Sequence, residues 1–232
     1  MARKPRLCIS GIPYHVIQRG NNKEPIFFSE DDYAYFLEII REAKGKHPCL
    51  IYGYCLMTNH FHLLAEPKEI GNLSLFMKFL GAKYVRYINK TYNRCGTLWQ
   101  GRFKCSLIEG ELYFLSCLHY IEMNPLRAGI ATLPETYRWS SYRIRAFGEK
   151  SIIIDLDPWY NDLGNDSCKR QAGYRNFFHK LMPDQTWKMI RDMTAKNAIV
   201  GSNKFKEKIE NVLNRKIIFR QPGRPKKDGD EK

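Results

Sequence analysis

Acidic residues are in short supply: 24 aspartates and glutamates face 38 lysines and arginines, leaving a formal charge of +14. That excess attracts polyanions, nucleic acid first among them. Close cysteine pairs are missing as well. The seven cysteines, at 8, 49, 55, 95, 105, 117 and 168, form no Cys-x-x-Cys unit, which excludes a zinc ribbon. Their odd number also speaks against a secreted disulfide framework, and free thiols in a reducing cytoplasm fit better. No stretch reaches the roughly 18–20 uncharged apolar residues of a membrane-spanning helix, so no membrane partner is expected. The basic N-terminus is followed by too little apolar sequence for a signal peptide, and no internal repeat is visible. What is present is a 44% hydrophobic fraction, enough for the 232 residues to bury a core. The charge is spread along the chain, with net +8 in residues 1–150 and +6 in 151–232.

The pattern of apolar residues defines the first 150 positions. Tyr14 to Gly20 reads as a strand, and a short apolar piece surrounds Ile26-Phe27-Phe28. Ser29 is an N-cap, with Asp31 and Asp32 suited to the first turn. Tyr33, Phe36, Leu37 and Ile40 carry helical spacing up to Lys44-Gly45. Cys49–Met57 and His60–Glu66 are strand-like runs joined by Thr58-Asn59, a hairpin signature. An amphipathic helix spans about Asn72–Asn93, then a strand Trp99–Ile108, then a helix Glu111–Met123 stopped by Asn124-Pro125. The order β-α-β-β-α-β-α points to an α+β fold: a ferredoxin-like split βαβ core with an antiparallel sheet. A soft boundary falls near 150. Residues 151–218 form a helical C-terminal appendage, with an edge strand or loop at 152–158 and helices near 166–180, 184–196 and 202–213. Residues 219–232 read as a basic disordered tail.

His60-Phe61-His62 is the sharpest chemical feature. On a strand, residues i and i+2 share a face, so two imidazoles stand ~7 Å apart at Cα, within reach of one divalent ion. Taken alone, the triplet is a weak signal and reads more readily as two partly exposed strand histidines. Further ligands could come from His15, Glu66, Glu122 or Asn124, among which spacing does not choose. Two imidazoles with oxygen ligands and water suit Mg²⁺ or Mn²⁺ acting as a Lewis acid.

Met57-Thr58-Asn59-His60-Phe61-His62, Leu98-Trp99-Gln100-Gly101-Arg102-Phe103 and Tyr120-Ile-Glu-Met-Asn124-Pro125-Leu-Arg127-Ala128-Gly129 together resemble the REP-associated tyrosine transposases, single-tyrosine members of the HUH superfamily. Tyr14-His15-Val16 and Trp139-Ser140-Ser141-Tyr142 agree, so the resemblance spans about residues 10–145 in order. It implies a ferredoxin-like fold, a metal on His60 and His62, and Tyr120 as nucleophile. Asn124, four residues on, is implied as third ligand, with Glu122 in competition. The implied activity is a metal-dependent single-stranded DNA endonuclease and strand transferase acting on palindromic hairpins. It forms a 5′-phosphotyrosine and a free 3′-OH, in the cytoplasm at the nucleoid, as monomer or homodimer. The alternative is a catalytically idle hairpin-binding regulator on the same fold.

Tyr113 shares the face of Tyr120 and is read as a packing residue. Basic and aromatic residues interleave at Lys83, Arg86, Trp99, Arg102 and Lys104, a pattern suited to phosphate contacts and base stacking, with Arg127 added beside Tyr120. Gly223-Arg224-Pro225 resembles the core of a minor-groove AT-hook, which makes Arg224 a further DNA-binding candidate. Affinity for a bound strand is expected to fall steeply with salt.

Overall fold

A computed structural model describes residues 7–180, 182–214 and 216–217. The expected tail 219–232, with Arg224, lies outside the described residues. Residues up to Gly201 belong to one compact unit, and a second begins at Ser202. Helices between 151 and 201 therefore belong with the first 150 residues, although the sequence texture changes between them.

The first strand, β1 (Tyr14–Arg19), is followed by helix α1 (Glu30–Lys46). Ser29 caps α1 in a box with Asp32, whose carboxylate accepts from the Ser29 backbone N–H at 3.0 Å. The helix ends at Lys46, past Gly45, because the His47 N–H still reaches Ala43 O. Ile26 and Phe27 form no strand; their N–H groups donate to Thr58 O, which pins both buried side chains beneath the next hairpin. That hairpin is β2 (Cys49–Met57) and β3 (His60–Pro67), with the Thr58-Asn59 turn as expected.

Helix α2 (Asn72–Thr91) leads to β4 (Lys104–Ile108), and α3 (Gly110–Glu122) to the short α4 (Asn124–Arg127). The strand expected from Trp99 forms only from Lys104. Gly101 takes φ +128°, which turns the chain out of the pleat, and Trp99 keeps one isolated bridge to Gly20. Helices α5 (Tyr142–Phe147), α6 (Pro158–Asp162), α7 (Ser167–His179) and α8 (Asp184–Ala195) follow. Ile152 to Asp157 is a loop whose Asp155 accepts from Ile51 N–H (2.7 Å) and pairs with Lys44 (2.6 Å).

A short strand, β5 (Ile199–Val200), then joins the sheet, whose order is β2-β3-β1-β4-β5. The first four strands are antiparallel in the ferredoxin-like order; β5 lies parallel to β4 and was not visible in the sequence. In the second unit, Ser202 caps helix α9 (Asn203–Val212).

Alternate strand residues face opposite layers. Phe61 meets Phe36 of α1 (4.8 Å between ring centroids) and Trp99 (5.9 Å), in the layer where Tyr84 of α2 also packs. The other face carries Leu64, Cys55 and Met57 against Leu118 and Ile121 of α3, with Tyr174 and Phe178 of α7 and Ile190 of α8. Gly53 of β2 lets α3 approach, since a Cβ there would collide with Leu118 Cδ1. A buried polar network ties these helices together. Glu122 accepts from Ser141 Oγ (2.5 Å) and Tyr174 OH (2.8 Å), and Arg145 pairs with Asp157 at 2.7 Å. Burial pushes the Glu122 carboxyl up to about 7. Tyr113 is partly buried against this core, as a packing residue should be.

His119 of α3 is buried among Phe177, Phe178 and Trp187, and burial lowers its imidazole from 6.5 to about 4. The unfolded chain therefore binds a proton at this position between those values while the folded chain does not. Its contribution to stability is full above pH 6.5 and lost as pH falls toward 4. His119→Phe keeps the ring packing and removes the proton. Urea unfolding should show the variant gaining about 2 kcal/mol over the parent at pH 4.5 relative to pH 7.5; an unchanged difference between the two pH values would contradict this.

Candidate active site

The β1–β3 register builds the site. Arg19 pairs with His60, Ile17 with His62 and His15 with Leu64, so His15, Arg19, His60 and His62 share one sheet face. Ser106 and Lys104 of β4, opposite His15 and Ile17, extend the same face. Tyr120 of α3 lies over it, its ring centroid 5.4 Å from His15 and 5.8 Å from His62, both edge-on. Trp187 of α8 covers the phenol at 4.8 Å, and Arg127 stacks on Trp187 at 4.4 Å.

Hydrogen bonds define which ring nitrogens are available. Asn59 Nδ2 donates to Lys23 O (2.9 Å), which leaves Asn59 Oδ1 to accept from His60 Nδ1–H at 2.7 Å. The unprotonated nitrogen of His60 is thus Nε2. His62 Nδ1 bonds His15 Nε2 at 2.8 Å, while His62 Nε2 is buried with no hydrogen-bond partner. An orphaned, buried lone pair is costly unless something fills its place. Burial keeps the imidazoles neutral: His60 is lowered to about 4, His15 to about 3 and His62 well below its usual value, with Arg19 adding to the effect at His60 and His62.

These two nitrogens are of the right kind for a divalent ion, and the remaining donors can be sorted. Among the described residues, no three His, Cys, Asp or Glu side chains form a set able to hold a metal. His15 has both nitrogens engaged, Nδ1 with Thr194 Oγ1 at 2.8 Å. Both Glu122 oxygens are taken by Ser141 and Tyr174, which removes that competitor, and Glu66 accepts from Tyr52 at 3.0 Å. Asn124 begins α4; its Nδ2 donates to Tyr120 O (2.6 Å) and Ile121 O (3.3 Å), turning Oδ1 away from the helix backbone. Of the candidate ligands, Asn124 is thus the one whose described hydrogen bonds engage its side-chain nitrogen and not its oxygen.

Tyr120 is pushed up to about 12 by burial, while the positive charges of Arg191, Arg127 and Arg19 pull its phenol back down. Arg19 and Arg191 were not singled out in the sequence. Arg19 was legible in principle: it stands at i+4 from His15 on one strand, hence on its face. Among the described residues its guanidinium has no carboxylate partner, and its Nε is buried without a hydrogen bond. Arg191 lies on α8, with nothing in local sequence to connect it to Tyr120.

The DNA-binding candidates divide. Lys104 and Arg127 lie on the histidine side. Lys83 and Arg86 lie on α2, which packs on the opposite face of the sheet, so they are not beside Tyr120; Lys83 is paired with Glu42 at 2.5 Å. Trp99 packs in that same opposite layer, against Phe61 and Tyr84, with its indole N–H on Gly81 O at 3.4 Å. Arg102 is exposed in the loop before β4.

The ferredoxin-like sheet with its helices is a fold shared with a solved transposase. A REP-associated tyrosine transposase, solved bound to a REP hairpin, superposes with a TM-score of 0.56. It covers 68% of this chain and 96% of its own, at 17% identity, a likeness of fold. The particular family follows from sequence: residues 8–124 match the profile of the IS200-like transposases, and the chain belongs to that family. A Haemophilus influenzae protein named as a REP-associated tyrosine transposase is 25% identical over 126 residues, 47% of this chain and 72% of the relative. Among the described residues, no helix is long and apolar enough to cross a membrane.

Trp187 is buried between Tyr120, His119 and Arg127. Trp187→Ala should lower the free energy of unfolding by about 3–5 kcal/mol in urea titration, and Trp187→Phe by less. An alanine variant as stable as the parent would show that α8 does not pack over Tyr120.

Proposed function

We propose that this chain is a metal-dependent DNA strand transferase that cuts single-stranded hairpin DNA with Tyr120 as nucleophile. The observation that carries the reading is the Tyr120 ring standing edge-on over the His15–His62 pair, with His62 Nε2 buried and unpartnered. Membership of the IS200-like family and likeness to a transposase solved on a REP hairpin support the choice of DNA hairpins as substrate.

In this reading His60 Nε2, His62 Nε2 and the Asn124 amide oxygen hold Mg²⁺ or Mn²⁺. The bound ion supplies Lewis-acid polarisation of the scissile phosphate. Arg19, without a carboxylate partner among the described residues and felt electrostatically at His60, His62 and Tyr120, would hold a non-bridging phosphate oxygen and oppose the charge that builds in the transition state. Arg191 and Arg127 favour the phenolate over the phenol. The Tyr120 oxygen attacks phosphorus and the bond from phosphorus to the 3′ oxygen breaks. The phenol gives up its proton and the departing 3′ oxygen gains one. The products are a 5′-phosphotyrosine and a free 3′-OH. One phosphoester replaces another, so a second 3′-OH can reverse the step and join strands without an energy source.

With a cognate palindromic hairpin and Mn²⁺, the parent should give a covalent protein–DNA band on a denaturing gel. Tyr120→Phe should give none, and Arg19→Ala should slow its appearance about 10²–10³-fold while hairpin binding persists. An adduct formed by Tyr120→Phe would remove Tyr120 from the role. Salt-sensitive hairpin binding with no adduct under any divalent ion would favour the catalytically idle regulator.

A further inference from the structure

We propose that His15 and Thr194 are positioning residues that lock His62 in its Nδ1-protonated tautomer, so that helix α8 is part of the catalytic centre. The proposal rests on the reading of His60 and His62 as a metal pair.

The assignment follows from one fixed proton. Thr194 Oγ1 lies 2.8 Å from Ile190 O, and a carbonyl can only accept, so the single hydroxyl proton of Thr194 is spent there. Thr194 Oγ1 must then accept from its other neighbours. Ser106 Oγ, at 2.9 Å, donates to it, and His15 Nδ1, at 2.8 Å, carries the proton on its side. His15 is fully buried and neutral, so protonation at Nδ1 leaves a lone pair on Nε2. That lone pair faces His62 Nδ1 at 2.8 Å, and His62 must donate. A neutral His62 with its proton on Nδ1 has its remaining lone pair on Nε2, the buried atom without a partner.

Each link is forced by the one before it, and every member is buried. The rings of His15 and His62 stack at 5.1 Å with planes 16° apart, which also holds the orientation of His62. His60 reaches the same tautomer through a different device, the Asn59 side chain. The relay to His62 differs in reach: His15 comes from β1, Ser106 from β4 and Thr194 from α8. Partners behind a metal-binding imidazole fix its tautomer and typically change metal affinity 10–100-fold when removed. A helix beyond the family-matched segment 8–124 thus sets the donor atom of a residue inside it.

The test uses the full chain labelled with ¹⁵N-histidine, free of metal and DNA, with ring signals assigned through single His→Gln variants. Long-range ¹H–¹⁵N correlation should show His15 and His62 each as one tautomer with the proton on Nδ1. Thr194→Val should mix the tautomers of both rings and weaken Mn²⁺ binding, measured by EPR titration, about 10–100-fold. Hairpin affinity should be unchanged. Thr194→Ser and His15→Gln, each able to keep the needed acceptor, should restore the tautomer and most of the affinity, while His15→Leu should not. Should Thr194→Val fail to fold, the His15→Gln and His15→Leu pair carries the same comparison. A parent His62 protonated on Nε2, or a Thr194→Val protein with unchanged tautomers and affinity, would overturn the proposal. A parent with the expected tautomers that binds no Mn²⁺ supports the relay and overturns the metal reading of the site instead.

Discussion

The antiparallel register of β1 on β3 is the constraint from which the rest of this site derives. Pairing Arg19 with His60 and Ile17 with His62 brings His15, Arg19, His60 and His62 to one face, because side chains alternate with a period of two. A slip of one residue would carry every histidine of β3 to the layer now occupied by Phe36 and Phe61, and bury Phe61 and Leu63 under α3 instead. The hydrophobic layers make that slip costly. Phe61 fits among Phe36 and Trp99, and Leu64 among the side chains of α3, so the apolar residues of β3 hold its polar ones in place.

On that face the protein tolerates several features that cost stability: an orphaned imidazole nitrogen, a guanidinium whose buried Nε lacks a partner among the described residues, and a phenol raised to about 12 by burial. The surroundings offset them. On the far side of α3, Glu122 accepts from Ser141 and Tyr174 while Arg145 pairs with Asp157, and these contacts fix the helix that carries Tyr120. Trp187 closes over the phenol, and Thr194, two turns later on the same helix face, anchors His15. Helix α8 therefore contacts both Tyr120 and the His15–His62 pair.

Much of this was legible in the sequence where the signal is local. The Ser29 cap, the Thr58-Asn59 hairpin, the strand order and the shared face of His60 and His62 all follow from spacing and turn chemistry. Tyr120 was separable from thirteen other tyrosines by the Asn124-Pro125 context. What was not legible depends on contacts across long stretches of chain. Thr194 meets His15 across 179 positions, and β5 pairs with β4 only because α8 delivers it there. Lys83 and Arg86 look like partners of Tyr120 on composition, yet α2 packs on the opposite side of the sheet, which charge patterning does not report. The expected strand from Trp99 failed on one backbone angle, at Gly101.

The central claim is that His60 and His62 present their Nε2 lone pairs together beneath Tyr120. Pulsed EPR of the Mn²⁺-loaded protein, selectively ¹⁵N-labelled at histidine, tests it most directly. The account predicts hyperfine coupling to two imidazole nitrogens, falling to one in His60→Ala and in His62→Ala, and unaffected by His119→Phe. Coupling to no histidine nitrogen, or two couplings that survive both alanine substitutions, would contradict it.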